Sequence, residues 1–350
     1  MFTRHPANPL ITPASIRPSR PDFEIIGTFN AGVIQHGDEV LLLLRVAERP
    51  HASEQGQISL PYLTPDGELT IRRVAREDPN YRTDDPRTVR DLRSGAVYLT
   101  SMSHLRLARS RDGVRFTIDE HPWLLAESPY EAYGVEDARI TCIEGIYYIN
   151  YTAVSAHGIG TALVSTTDFK RIQRHGLIFP PSNRDVVLFP TRIHGQYAAY
   201  HRPMPGDMGK YSIWSAVSPD LIHWGSHQVV LEAGQHGWEA GRVGGGAPPV
   251  WTERGWLSIY HAADRRNRYC LGAFLAAHDD HSRLIARSQT PIFEPEAGYE
   301  RDGFFPNVVF TCGVVTAGDV LKLYYGAADE TLALAETSLA ALLDALTPVA

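Results

Sequence analysis

Hydrophobic and polar positions alternate along this chain in short bursts, and one burst returns five times, at residues 37–45, 145–151, 195–202, 255–261 and 318–326. Each copy opens with a glycine turn, runs through β-formers and stops at small or polar side chains. A second pattern follows each of them, at 105–116, 161–169, 212–224, 271–280 and, least regularly, 331–336. It reads as an alternating strand, and in the clearest copies it ends in a Ser/Thr-x-Asp turn whose carboxylate bonds nearby backbone amides. The aromatic just after that turn (Phe116, Phe169 or Trp224) is expected to pack between repeats. The first pattern supplies one strand and the second its antiparallel neighbour. Five such pairs predict an all-β fold, a five-bladed β-propeller. In that fold the ends of the blades meet near one axis, so residues as distant as His201 and His261 share one site.

One stretch breaks the period. Between Val46 and Ser103 the spacing roughly doubles, and 51–92 is polar and rich in Pro, Asp and Arg, with Asp84-Asp85-Pro86-Arg87 at its centre. It is expected to be a loop or hairpin elaborating the first blade, too short and too polar to own a core. Such an insertion sits on one face and shapes a cleft or an oligomer contact. Residues 1–350 are therefore read as one propeller domain. The stretch 6–21 is expected to run extended over the surface, and Ser338 to cap a short C-terminal helix over 338–346 that is apolar on one face.

Composition narrows the function. Apolar residues make up 43% of 350, enough for a substantial core, and the net charge of −7 argues against a sequence-independent nucleic-acid binder. The basic residues are nearly all arginine, which reads first as a mark of genome composition and second as a supply of planar forks for anions. Three scattered cysteines have neither metal-ligand spacing nor a disulfide framework, and no apolar run reaches the roughly 18 residues of a membrane span. A soluble cytoplasmic protein is the default, with no metal or organic cofactor expected and a homo-oligomer left open.

Candidate chemistry gathers at the ends of the repeats. Glu136-Asp137, just before the second repeat, points its two carboxylates to opposite faces, so one of them faces a given pocket. The plain alternative is a solvated turn with a local Asp–Arg pair. The functional one is an acid at the axial pocket, with Glu136 or Arg139 fixing the backbone around it. Arg184, His201-Arg202 and His261 hold matching places in the repeats and would together bind an anion, because guanidinium forks match phosphate oxygens. Gly244-Gly245-Gly246-Ala247-Pro248-Pro249 lacks the Lys-Ser/Thr of a phosphate loop and reads as a tight backbone crossing near the axis. Trp238-Glu239 suits a stacked sugar ring, and equally a core.

Taken in order, the segments around Phe29-Asn30-Ala31-Gly32, residues 134–139, 185–190, His201-Arg202-Pro203, Trp238-Glu239, residues 244–249, Tyr260-His261, residues 306–310 and 325–329 resemble glycoside hydrolase family 130, the β-mannoside phosphorylases and related β-mannosidases. The resemblance implies a five-bladed propeller that cleaves a β-mannoside with inorganic phosphate and inverts the anomeric centre to give α-mannose 1-phosphate. It places the catalytic acid on Asp137, acting through the 3-hydroxyl of the mannosyl unit, and phosphate binding on Arg184, Arg202 and His261. Sugar contacts fall on Asn30, Asp185, Asn307 and Asp329, with His201, Trp238 and Glu239 as further substrate contacts. An acid must hold a proton, so burial is expected to raise the pKa of Asp137. Ala138 stands where the family has proline. Two alternatives stay open: a β-mannosidase using water with Glu239 as base, and a non-catalytic sugar-binding propeller.

Overall fold

The computed structural model describes residues 1–51 and 54–349. The fold is all-β, and its only α-helical segments are Gly298–Arg301 and Leu339–Asp344 among the described residues. Among the described residues no helix is long and apolar enough to cross a membrane.

Both repeated patterns are strands, and each first-pattern strand pairs antiparallel with the second-pattern strand that follows it. With an inner strand before and an outer one after, they make four-stranded units. Unit one holds Phe23–His36, Glu39–Pro50, Met102–Ser110 and Thr117–Ile118, and unit two Gly134–Ile143, Ile146–Ser155, Gly158–Thr166 and Gln173–Phe179. A single parallel bridge, Gly134 with Ser103, joins these two into one sheet. Unit three holds Asn183–Leu188, Tyr197–Pro203, Ile213–Ser218 and Gly225–Leu231. Unit four holds Arg242–Gly245, Gly255–Ala263, Tyr269–Ala276 and Leu284–Arg287, edged by Thr347–Pro348. Unit five holds Val309–Ala317, Val320–Ala327 and Thr331–Ser338, and its outer strand, Thr3–Arg4, comes from the start of the chain.

The Ser/Thr-x-Asp turns repeat the same bonds. Asp112 Oδ1 accepts from the amides of Val114 and Arg115 at 2.9 and 2.8 Å, Asp168 Oδ1 from Lys170 and Arg171 at 2.8 and 3.0 Å, and Asp220 Oδ1 from Ile222 and His223 at 2.9 and 2.8 Å. The aromatic after each turn touches the neighbouring unit. Phe116 meets Tyr324 of unit five, Phe169 meets His36 of unit one, and Trp224 stacks on Phe179 of unit two. Such inter-unit ring contacts bury large apolar surfaces in preferred geometries and fix how sheets pack.

The chain between the second and third strands of unit one departs from expectation. It forms a hairpin of Gln57–Leu63 and Leu69–Ala75, then a three-stranded sheet of Tyr81–Arg82, Thr88–Asp91 and Val97–Leu99. Ile58, Leu60, Val74 and Val89 are buried together, with Tyr81 and Tyr98 against them. The segment thus owns a small core, which its polar composition hides because those side chains are scattered among charges. It is pinned to unit two by the Leu63 amide on the Ala132 carbonyl and by Tyr98 against Tyr133. The C-terminal helix is shorter than 338–346 but is capped as expected: Ser338 accepts from the Ala341 amide, and Leu342 and Leu343 are buried beside Phe2, Leu321 and Leu323.

Candidate active site

Three inner strands carry a β-bulge at the same place. The ladder slips between Phe29 and Gly32, between Glu136 and Arg139, and between Arg184 and Val187. The extra residues include Asn30, Asp137 and Asp185, all in left-handed backbone with φ of 47, 50 and 58°. Asn and Asp tolerate that region better than other side chains, and a bulge re-aims them off the sheet. Asn307 and Asp329 share the same backbone state, at φ 61 and 51°. Strained polar residues cluster where structure serves function.

Asn30, Asp137, Asp185 and Asp329 line one cavity of about 240 Å³, together with Arg45, Arg87, Glu136, Arg184, Arg202, Arg242 and His261. Asn30 Nδ2 donates to Asp137 Oδ1 at 2.9 Å, and Arg45 Nη1 donates to the same oxygen at 2.9 Å. The other arm of Arg45 binds Glu136 Oε1 at 2.9 Å, and Arg184 Nη2 lies 3.5 Å from Glu136 Oε2. A second knot surrounds Asp185. Arg202 places Nε and Nη2 at 2.7 and 2.6 Å from Asp185 Oδ2, and His261 Nε2 stands 3.2 Å from that atom. Beneath both lies Arg139, 1% exposed, which donates to the backbone carbonyls of Asp137, Gly245 and Gly246. The glycine run makes this crossing feasible: a Cβ on Gly244 would stand 2.5 Å from Asp185 Oδ2 and 2.6 Å from His261 Nε2.

The electrostatics correct one expectation. Burial pushes Asp137 up, as anticipated, yet Arg45, Arg139, Arg184 and the Asn30 amide together hold it below the ordinary carboxylate range. Asp185 is held well below that range against its burial, by Arg202 and His261. The carboxyl that is raised is Asp329, pushed by burial to about 6 against the pull of Arg45 and Arg87. His261 is lowered by burial despite Asp185, which keeps it neutral. Asn30 Oδ1, Arg184 Nε and His261 Nδ1 are buried without a hydrogen-bond partner. Unpaired buried polar atoms are rare, and three at one cavity mark a place built to meet a ligand.

Other expected contacts lie elsewhere. His201 points away from its neighbour Arg202, as alternate residues on a strand do; it bonds Asn183 and His227 and stacks on Phe179 at 4.7 Å. Glu239 takes Arg287 Nη2 at 2.6 and 2.7 Å and the Tyr260 hydroxyl, while Trp238 stacks on Tyr260. Neither Trp238 nor Glu239 lines the cavity, so that carboxylate is committed to unit four and not poised as a base. Asn307 is exposed and contributes its carbonyl to the Tyr269 amide beside the cavity. Sequence reasoning missed Arg45, Arg87 and Arg242 as lining residues. For Arg45 a signal existed: it sits opposite Phe29 as Arg202 sits opposite Arg184 and His261 opposite Gly244.

An all-β fold whose cavity pairs a buried carboxylate with a ring of guanidiniums can hold a proton-transferring group beside a bound anion. The profile of family Glyco_hydro_130, described as beta-1,4-mannooligosaccharide phosphorylase, matches residues 86–347. The chain is 45% identical over 333 residues to the beta-1,2-mannobiose phosphorylase of Listeria innocua, covering 94% of each. It is 40% identical over 248 residues to the 1,2-beta-oligomannan phosphorylase of a Thermoanaerobacter species, covering 70% of this chain and 82% of that one. The solved complex of the Listeria innocua phosphorylase with beta-1,2-mannobiose superposes with a TM-score of 0.96 over 98% of both chains, at 44% identity. The chain belongs to glycoside hydrolase family 130 and is an enzyme.

Proposed function

We propose that this protein is an inverting phosphorylase of short β-1,2-linked mannosides, with β-1,2-mannobiose as its simplest substrate and inorganic phosphate as co-substrate. The observation that carries it is one cavity that holds Asp137, bonded by Asn30 and Arg45, together with Arg184, Arg202 and His261. The β-1,2 linkage rests on the likeness to the Listeria innocua and Thermoanaerobacter phosphorylases. We also infer that the five units are blades of a five-bladed propeller forming one domain. In support, the inner strands pack pairwise from unit one to unit four, the second and third strands of unit four pack on the inner strand of unit five, that strand packs on the inner strand of unit one, and Thr3–Arg4 completes the last sheet.

Inversion needs an acid on the leaving-group side of the sugar and a nucleophile on the other. A phosphate oxygen bonds the anomeric carbon as the glycosidic C–O bond breaks. The proton of Asp137 passes through the sugar's 3-hydroxyl to the leaving oxygen, and the product's P–OH restores it. Arg184, Arg202 and His261 position the phosphate, and the two guanidiniums screen its charge. Asp137 is ionised in the free protein, so phosphate binding must do two things. It occupies Arg184, which otherwise holds Asp137 down, and it adds negative charge beside the carboxylate. Both raise its proton affinity.

The test is incubation with β-1,2- and β-1,4-mannobiose, with and without phosphate. Mannose 1-phosphate of α configuration, formed from the β-1,2 substrate only when phosphate is present, is expected. Free mannose irrespective of phosphate, or no turnover, overturns the proposal.

A further inference from the structure

The strand-forming insertion within unit one reaches the cavity. Arg87, Thr88, Leu99 and Ser101 all line it. Arg87 is held there as a fixed fork: Asp85 takes its Nε and Nη2 at 3.0 and 2.8 Å and its amide at 2.9 Å. Its guanidinium lies 3.9 Å over the Phe305 ring, itself a lining residue. A planar cation clamped from behind and stacked below presents its remaining donor edge in one direction, at little further entropy cost.

Position decides which part of the substrate that edge meets. The anion group comes from unit three (Arg184, Arg202) and unit four (His261), whereas Arg45, Asp137 and Asp329 come from units one, two and five. Arg87 belongs to the second group by its place in the chain, being inserted in unit one, and its charge interacts with Asp329 of unit five as well as with Tyr269 of unit four. In an inverting displacement the leaving sugar lies on the acid's side, away from the nucleophile. That side also opens outward, because Thr88 and Phe304 are shared with a second cavity of about 270 Å³ under the insertion.

We propose that the insertion builds the leaving-sugar subsite and that Arg87, clamped by Asp85 and stacked on Phe305, is its specificity-determining contact with the hydroxyls of that sugar. The proposal rests on the phosphorylase function above. It is tested in the synthetic direction, with mannose 1-phosphate as donor and mannose as acceptor, on wild type, Arg87→Ala and Arg87→Lys. Loss of a charged hydrogen bond to the acceptor is expected to raise the acceptor KM about tenfold in Arg87→Ala, while the phosphate KM of the forward reaction stays within about twofold. Arg87→Lys keeps the charge but not the fork, so an intermediate rise is expected, and it carries the same readout if the alanine variant does not fold. An unchanged acceptor KM overturns the proposal. So does a raised phosphate KM, alone or with the other, since it would move Arg87 to the anion end. Should wild type show no phosphate-dependent turnover, the function proposed above fails by itself. Calorimetric binding of β-1,2-mannobiose then judges Arg87 alone: about tenfold weaker binding to Arg87→Ala supports the contact, and equal binding overturns it.

Discussion

Units one and three place an arginine at the same point of the repeat, and the two behave differently. Arg45 faces Phe29 across the ladder, and Arg202 faces Arg184. Each stands next to a bulge. In unit three the bulge holds Asp185, and Arg202 turns to it with two nitrogens. In unit one the bulge holds Asn30, which is neutral, so Arg45 reaches into the next unit and divides itself between Glu136 and Asp137. One difference in a bulge residue thus sends one guanidinium home and the other abroad. Asp185 is locked by two partners on a single oxygen and stays ionised. Asp137 shares its guanidinium with a neighbour, so its charge can be rebalanced when a ligand arrives. The first is a fixed anchor for the cations at the anion end, and the second is a carboxylate able to take up and give up a proton.

That contrast predicts opposite phenotypes for the same substitution. Asp137→Asn removes the proton donor, while Arg45 keeps Glu136 as a partner. Turnover is expected to fall by about 10²–10⁴-fold, with the melting temperature close to wild type. Full activity in steady-state assays of this variant would end the assignment of Asp137 as the acid.

Asp185→Asn does the reverse. It leaves Arg202 and His261, 4% and 1% exposed, facing a neutral amide. Removing one partner of a buried ion pair costs about 3–5 kcal/mol because the other charge stays buried, so the loss is expected in denaturant unfolding first. If the two variants lost stability equally, the difference between the shared and the locked carboxylate would be wrong.

The sequence made the strands legible because their period is local: alternation and a glycine turn suffice to define them, and all five pairs formed. Asp137, Arg184, Arg202 and His261 were legible for the same reason, being placed by the repeat and brought to one cavity. What stayed hidden depends on partners far along the chain. Glu239 beside Trp238 reads alike whether it meets a sugar or Arg287, and Arg287 lies 48 residues on. The direction of the Asp137 shift was missed because burial is visible in an apolar context, whereas the guanidinium of Arg45, 92 residues away, is not. The small core of the insertion was missed because Ile58, Leu60, Val74 and Val89 are too few and too dispersed to show a period. Arg45 itself was available, had the ends of the first and third repeats been compared.

The two regions are also expected to differ from the carboxylates in how they answer acid, with a smaller effect per step. Each carries a buried histidine that stays neutral. His104 of unit one is lowered to about 3 by burial and by Arg106, and His201 of unit three to about 3 by burial and by His227. An unfolded histidine titrates near 6.5, so below that pH the unfolded chain takes up protons that the fold refuses. Stability therefore falls as pH drops from about 6.5 toward about 3, at up to about 1.4 kcal/mol per pH unit for each histidine. Asp137 and Asp185, whose values are depressed, begin to cost stability only below the ordinary carboxylate pKa of about 3.9, whereas Asp329, raised to about 6, adds stability as pH falls from about 6 to about 4, so over pH 4–6.5 each histidine is read as the difference between its variant and wild type. Denaturant midpoints across that window should show a shallower slope in His104→Gln and in His201→Gln. The two share no hydrogen-bond partner, so the double variant should show the sum of the two changes. An unchanged slope in the double variant would mean that neither imidazole is neutral in the fold. A clear departure from the sum would show that units one and three are coupled even without ligand.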